Sequence, residues 1–317
     1  MIGDLAKTFR DSVFILLTTT ACVTVAADQV DDVKFLLSSM SSATRQLDYQ
    51  GLFTFEVGGS LDTYKIVHRV EGDKEFERLQ RLNGQEREIV RSGQPVDCLS
   101  PGNKLLRGLI GNVDDPSTLL ANYRFVVHGD ERIAERNSSV VQLLPIDNDR
   151  YGYTIGIDHE TYLPLKILLV GPDRLVLERF QFIELKTGSD VEGVARQSTA
   201  QIDSVRAENA NCDDQEAAPV LGNWSIAWLP KGFVFAGERQ TSNGDHMLTF
   251  TDGLATFSVF ISSDSSRPPV MEARARLGAT TAFMARRVWD KTAYSVTVVG
   301  EIPAGTAQRV VSSINPK

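Results

Sequence analysis

The chain has 317 residues, 42% of them hydrophobic and 23% charged. These are ordinary globular values, and the length suits two domains, each able to bury its own core. A formal net charge of −8, with no run of five or more basic residues, excludes non-specific nucleic-acid binding.

At the N-terminus, Lys7 and Arg10 precede an apolar stretch, Val13 to Ala26, that is short for a membrane span. Val25 and Ala27 offer small residues at a cleavage site. Residues 1–27 therefore read as an export signal, with the mature chain starting near Asp28. Asp4 and Asp11 dilute the positive region, and the alternative is an uncleaved N-terminal anchor. Cys22 follows Thr19-Thr20-Ala21 and lacks the Leu or Val of a lipoprotein signal, so a soluble mature protein is expected.

Residues 30–47 have helical spacing: Val30, Val33, Leu37, Met40 and Leu47 fall near one face, and Asp28, Asp31 and Asp32 suit the helix N-terminus. Strand patterns follow at Tyr49 to Val57, Tyr64 to Glu71, Lys74 to Leu82, Glu86 to Arg91 and Val96 to Leu99. The links are too short for parallel crossovers, so an antiparallel meander is expected. Pro101 to Pro116 interrupts it with three glycines and the apolar Leu105, Leu106, Leu109 and Ile110. This segment reads either as a short helix packed on the core or as a mobile flap over a cavity. A short helix is expected at Ser117 to Asn122. Strands resume at Arg124 to Val127, Val140 to Pro145, Tyr151 to Ile157, Leu163 to Val170 and Leu175 to Leu185.

Residues 207–219 are polar and acidic and read as a linker between a first domain, 28–206, and a second, 220–317. In the second domain, His246 to Thr251 and Leu254 to Ser262 flank Asp252-Gly253, a tight-turn hairpin signal. Thr280 to Val288 and Thr292 to Gly300 form another strand pair. Pro303 opens a final helix in which Ala307, Val310, Val311 and Ile314 share a face, making the domain α+β. From Pro219 onward there are ten basic and seven acidic side chains, whereas the first domain is strongly acidic. Arg274, Arg276, Arg286, Arg287 and Lys291 are candidate contacts for an anionic partner, although any one of them can be ordinary solvated surface.

No catalytic, cofactor or metal constellation is apparent. His68, His128, His159 and His246 lack zinc-motif spacing, and there is no nucleophile elbow and no phosphate-binding loop. His68 reads as a packed or hydrogen-bonded strand residue and His159 as part of a turn. A triad assembled from distant residues stays open. Cys98 and Cys212 remain after cleavage, and they can pair in an oxidising compartment or stay separate thiols. Trp224, Trp228, Phe233 and Phe235 read as a small aromatic core, as do Phe53 and Phe55. A curved sheet lined in this way can instead hold an apolar ligand.

Several segments together resemble the RseB/MucB family. In the first half they are Tyr49-Gln50-Gly51 with Phe53, Ile66-Val67-His68-Arg69, Glu77-Arg78-Leu79, Arg87-Glu88-Ile89-Val90-Arg91 leading to Cys98, Tyr151-Gly152-Tyr153, Leu163-Pro164-Leu165 and Phe180-Gln181-Phe182. In the second half they are Trp228-Leu229-Pro230 with Gly232-Phe233, and the run Asp252 to Phe260, the most specific piece. The resemblance covers about residue 30 to the C-terminus. It implies an unclosed antiparallel β half-barrel with helices in its concavity, similar to the lipoprotein carriers LolA and LolB, plus a smaller C-terminal α+β domain.

The resemblance also implies a non-enzymatic periplasmic role. Such a protein would bind the periplasmic part of a membrane anti-sigma factor of the RseA or MucA kind and shield it from proteolysis. Lipid or lipopolysaccharide would release that protection. On this view Phe53, Phe55, Ile66 and Leu79 contact an acyl chain and Leu106, Leu109 and Ile110 form the flap. Competing expectations are a periplasmic lipid or lipoprotein carrier, a secreted hydrolase and a structural envelope protein. Self-association stays open.

Overall fold

The computed structural model describes residues 24–95, 119–191, 204–206, 224–241, 244–263 and 272–317. The expected strand at Val96 to Leu99, the Pro101–Pro116 segment, the linker 207–219, Cys98 and Cys212 all lie outside these residues.

Helix α1 spans Thr24–Gln46, starting before the expected Val30. Val33, Leu37, Met40 and Ala43 are buried at helical spacing, which places one apolar stripe against the sheet. Two antiparallel meanders follow. The first comprises β1 (Tyr49–Val57), β2 (Ser60–Glu71), β3 (Lys74–Arg81) and β4 (Arg87–Pro95). The second comprises β5 (Tyr123–Ile133), β6 (Arg136–Pro145), β7 (Gly152–Asp158), β8 (Pro164–Val170) and β9 (Val176–Thr187). Strand β9 returns beside β1 and fuses the meanders into one sheet of order β10-β4-β3-β2-β1-β9-β8-β7-β6-β5.

The end strands β10 and β5 do not pair, so the barrel is unclosed. β10 (Ser204–Arg206) runs parallel to β4, a departure from the antiparallel expectation. The long chain between β4 and β10 permits a parallel pairing that short turns forbid. The concave side holds the core. Phe53 lies opposite Tyr64 and Phe182, and its ring packs 4.8 Å from that of Phe180. Val33, Leu37 and Met40 of α1 belong to the same cluster.

The second half contains a six-stranded sheet of order β12-β13-β14-β17-β16-β15, with strands β12 (Val234–Gln240), β13 (His246–Thr251), β14 (Thr256–Ser262), β15 (Glu272–Leu277), β16 (Thr280–Trp289) and β17 (Thr292–Gly300). A small ribbon joins β11 (Trp224–Ile226) to β18 (Ile314–Pro316). Helix α2 (Ala304–Ser313) buries Ala307, Val310 and Val311 against Phe283, Val296 and Val298 of the sheet. The architecture is therefore α+β, an unclosed half-barrel with a smaller α+β companion.

The β13–β14 link corrects the expected two-residue turn. β14 starts at Thr256, and Asp252 to Ala255 form a four-residue loop. The Asp252 carboxylate organises that loop by accepting the Leu254 and Ala255 amides at 3.0 and 2.8 Å.

Candidate functional site at the seam of the two halves

The two halves meet over a buried, charged contact. Arg150 lies in the loop between β6 and β7 and is 1% exposed. Its Nη1 donates to Asp252 Oδ2 at 2.6 Å, and its Nε and Nη2 each donate to the Asp147 carboxylate at 3.1 Å. Nη2 also donates to the Lys231 carbonyl. The rings of Tyr123 and Phe233 lie 5.6 and 5.3 Å from the guanidinium carbon, one from each half. Tyr123 donates its hydroxyl to the same Asp252 oxygen at 3.2 Å. Two rings, two carboxylates and a carbonyl thus surround one cation, which fixes the relative orientation of the halves.

The electrostatics follow from burial. Burial works against the Arg150 charge, but the Asp147 hydrogen bonds and the Asp252 charge outweigh it and hold the guanidinium above its ordinary value. Burial pushes the Asp252 carboxyl up, opposed by the Arg150 charge and the Leu254 and Ala255 amides. Burial and the neighbouring Asp252 charge lift the Tyr123 phenol well above its usual range, so it serves as a neutral donor. Every polar atom of the pair is spent on holding its neighbours, which suits a clasp and not a reactive centre.

Further contacts extend the clasp. Tyr151 donates to the Ile302 carbonyl at 3.2 Å, and Asp149 accepts Thr306 Oγ1 at 3.2 Å and Arg309 Nη1 at 3.3 Å. Gly232 has φ +82°, and a Cβ there would sit 2.0 Å from Asn122 Nδ2, so the backbone of the second half reaches a distance only glycine permits. Leu254 and Ala279 of the second half are buried in the core of the first, so that cluster reaches across the seam.

The far end of the seam is sparser. Glu178 Oε1 accepts the Ala279 amide at 2.8 Å. Beside it lies a cleft of about 340 Å³ whose lining includes Leu175, Val176, Arg179, Arg276 and Leu277. Leu175, Val176 and Leu277 are exposed there.

The residues expected to act fall into different places. Phe53, Phe55, Ile66 and Leu79 come together, all buried in the core shared with α1. Leu106, Leu109 and Ile110 lie outside the described residues. The basic set does not form one patch. Cross-strand partners share a face, so the register of Arg274 with Phe283 and Arg276 with Thr281 puts both arginines on the helix side of the sheet. By alternation Arg287 lies on that side, Arg286 lies on the other, and Lys291 sits in the β16–β17 turn. His68 is a packed residue: its ring stacks 4.7 Å from Tyr49 and its Nδ1 donates to the Leu47 carbonyl at 2.8 Å. His159 occupies a turn, near Ser139 and Asp130. Among the described residues, no group of three or more His, Cys, Asp or Glu is placed to hold a metal ion. No described helix is long and apolar enough to cross a membrane.

Sequence reasoning missed Arg150, Tyr123 and Glu178. Asp252 carried a signal, because it opens the most specific run of the resemblance, but its role at the seam was not legible there.

Two family models match the chain, the MucB/RseB N-terminal domain over residues 32–202 and the MucB/RseB C-terminal domain over residues 219–315. The chain is 37% identical to the sigma factor AlgU regulatory protein MucB of Pseudomonas aeruginosa, covering 96% of this chain and 97% of that protein. It is 27% identical to the sigma-E factor regulatory protein RseB of Escherichia coli K12, covering 88% and 89%. Among solved structures, the Pseudomonas aeruginosa MucA/MucB complex aligns with TM-score 0.71 at 35% identity, covering 90% of this chain and 99% of that one. MucB in complex with MucA(peri) aligns with TM-score 0.70 at 35% identity, covering 92% and 99%. Matched along both halves, the chain belongs to the MucB/RseB family of sigma-factor regulatory proteins and is a regulator, not an enzyme.

Proposed function

We propose that this protein works in the periplasm, delivered there by residues 1–27, and binds the periplasmic part of a MucA- or RseA-like anti-sigma factor. Bound there, it shields the anti-sigma factor from proteolysis and so restrains an envelope-stress sigma factor. The observation that carries this reading is the full-length likeness to MucB as solved with MucA, at 35% identity and TM-scores of 0.71 and 0.70. The clasp at Arg150 and Asp252 supports it, since one rigid two-domain body presents a single composite surface to a partner.

Release is proposed to follow entry of a lipid acyl chain among Phe53, Phe55, Ile66 and Leu79, with Leu106, Leu109 and Ile110 as the flap. These four side chains are packed in the core with Val33, Leu37 and Met40. Acyl entry therefore requires α1 to yield. A ~12-carbon chain offers roughly 10 kcal/mol gross, at about 0.8 kcal/mol per buried CH₂, before ordering costs. A coupling of ~1–3 kcal/mol is typical of allosteric release.

The test uses the purified mature chain and purified Pseudomonas aeruginosa MucA(peri). The chain should retain MucA(peri) in a pulldown and slow its digestion by an added protease, and acyl-chain micelles should reverse both. Failure to retain MucA(peri) would remove the proposal. Retention without any effect of lipid, or lipid binding unchanged by Phe55→Asp and Leu109→Asp with the fold intact, would remove the lipid half alone. The alternative lipoprotein carrier predicts retention of lipidated proteins instead.

A further inference from the structure

Among the described residues, each of the two large sheets has two outer strands, and three of these four are blunted against further pairing. β10 is only three residues long. β5 carries a register shift between Val127 and Gly129, and β12 one between Phe235 and Gly237. Such bulges bend an edge away from a flat partner, and short strands offer little to pair with.

β15 is the exception. Its six residues pair with β16 in unbroken register, and all six are exposed. Its outer backbone groups form a straight template for another strand. Glu272, Arg274 and Arg276 stand on one side of that template, with the two arginines nearer the seam cleft, while Ala273, Ala275 and Leu277 stand on the other. At its C-terminal end the strand opens on the seam cleft, where Arg276 and Leu277 lie beside Leu175 and Val176 of the first half. The other charges near that end are engaged. Glu178 holds the Ala279 amide at 2.8 Å, and Arg179 lies 3.5 Å from Glu56.

We infer that β15 is a docking strand for an extended segment of the partner protein, which adds to the sheet edge with acidic side chains beside Arg274 and Arg276 and an apolar side chain in the seam cleft. This rests on the function proposed above and names the surface that serves it. The charge pattern selects the occupant: opposite charges on neighbouring strands attract, like charges repel, and backbone bonding along the edge supplies the rest. An occupant filling the cleft touches both halves, so its affinity depends on the seam being closed.

The experiment titrates the full mature chain with purified MucA(peri) and follows amide exchange in β15. Arg274→Glu with Arg276→Glu should weaken binding at least tenfold, and Leu277→Asp at least fivefold. Because β15 is exposed, the urea midpoints should stay at the wild-type value. Arg124→Glu with Arg132→Glu, the same charge change on the β5 edge, should leave binding unchanged. In the wild-type chain, MucA(peri) should slow exchange of the β15 amides at least tenfold. Binding that survives both β15 variants, or β15 amides that stay unprotected, overturns the docking strand and leaves the proposed function standing. A chain that never binds MucA(peri) overturns both. A dimer of the wild-type chain that Arg274→Glu with Arg276→Glu dissociates assigns the edge to self-pairing and overturns the inference.

Discussion

The two ends of the domain seam are built on opposite principles. At one end, Arg150 and Asp252 have fully buried side chains and pair at 2.6 Å, with Tyr123, Asp147, Lys231 and the Leu254 and Ala255 amides supplying the remaining bonds. At the other, the Glu178 bond to the Ala279 amide stands beside an open cleft with exposed leucines. A buried ion pair adds little net stability, since desolvation offsets the attraction, but it makes any misaligned arrangement expensive. The crowded end therefore sets the angle between the halves, and the sparse end leaves room to move or to bind.

The hardest way to break this contrast is to remove one partner of the clasp. Arg150→Met should lower stability by about 3–5 kcal/mol, because Asp252 is left stranded in the interior, and Asp252→Asn should cost less, because Arg150 keeps its two bonds to Asp147. Combining Arg150→Met with Asp252→Asn should cost less than the two single losses added together, read as the urea midpoint, because either change alone already breaks the pair. Strict additivity of the two losses would mean that the two groups act independently. At the sparse end, Glu178→Ala should cost about 1–3 kcal/mol, the penalty for one unsatisfied buried donor. Exchange of the Ala279 amide should accelerate while the Arg150 end stays protected. Equal costs at the two ends would erase the distinction.

A carboxylate away from the seam sharpens the comparison. Burial raises the Asp158 carboxyl, but the Arg136 guanidinium and the Thr161 donors outweigh it and hold the group below its ordinary value. Since the folded pKa is the lower one, its stabilisation is complete above the unfolded carboxylate value of about 4 and disappears as pH falls through the folded value. Asp158→Asn should lower stability at neutral pH by about 1 kcal/mol and flatten the acid limb of a stability–pH curve. An acid limb unaltered by that change would place acid sensitivity elsewhere.

Much of the fold was legible because alternation is a local property. Tyr49 to Val57 reads as a strand from its own residues, and β1 has those bounds. The stripe of Val33, Leu37 and Met40 likewise names its own helix face. β15 was missed because Glu-Ala-Arg-Ala-Arg-Leu has no buried face to impose an apolar alternation. β11 and β18 were missed because three residues carry too little pattern. The clasp was hidden for a different reason. Arg150 and Asp252 are 102 positions apart, and nothing local marks an arginine that will be buried by a loop from another domain. The basic set was grouped by composition, whereas strand alternation separates Arg286 from Arg274 and Arg276.

The clasp also governs how this protein can be taken apart. Severing the chain between its halves and producing each fragment alone would leave Arg150 with Asp147 but without Asp252, leave Asp252 with its loop amides but without a cation, and open to water the apolar surface that the seam covers, Leu254 and Ala279 included. Such pieces should clump or soften for reasons unrelated to their biological roles. The intact chain, altered one seam residue at a time, gives a fairer view of what each half does.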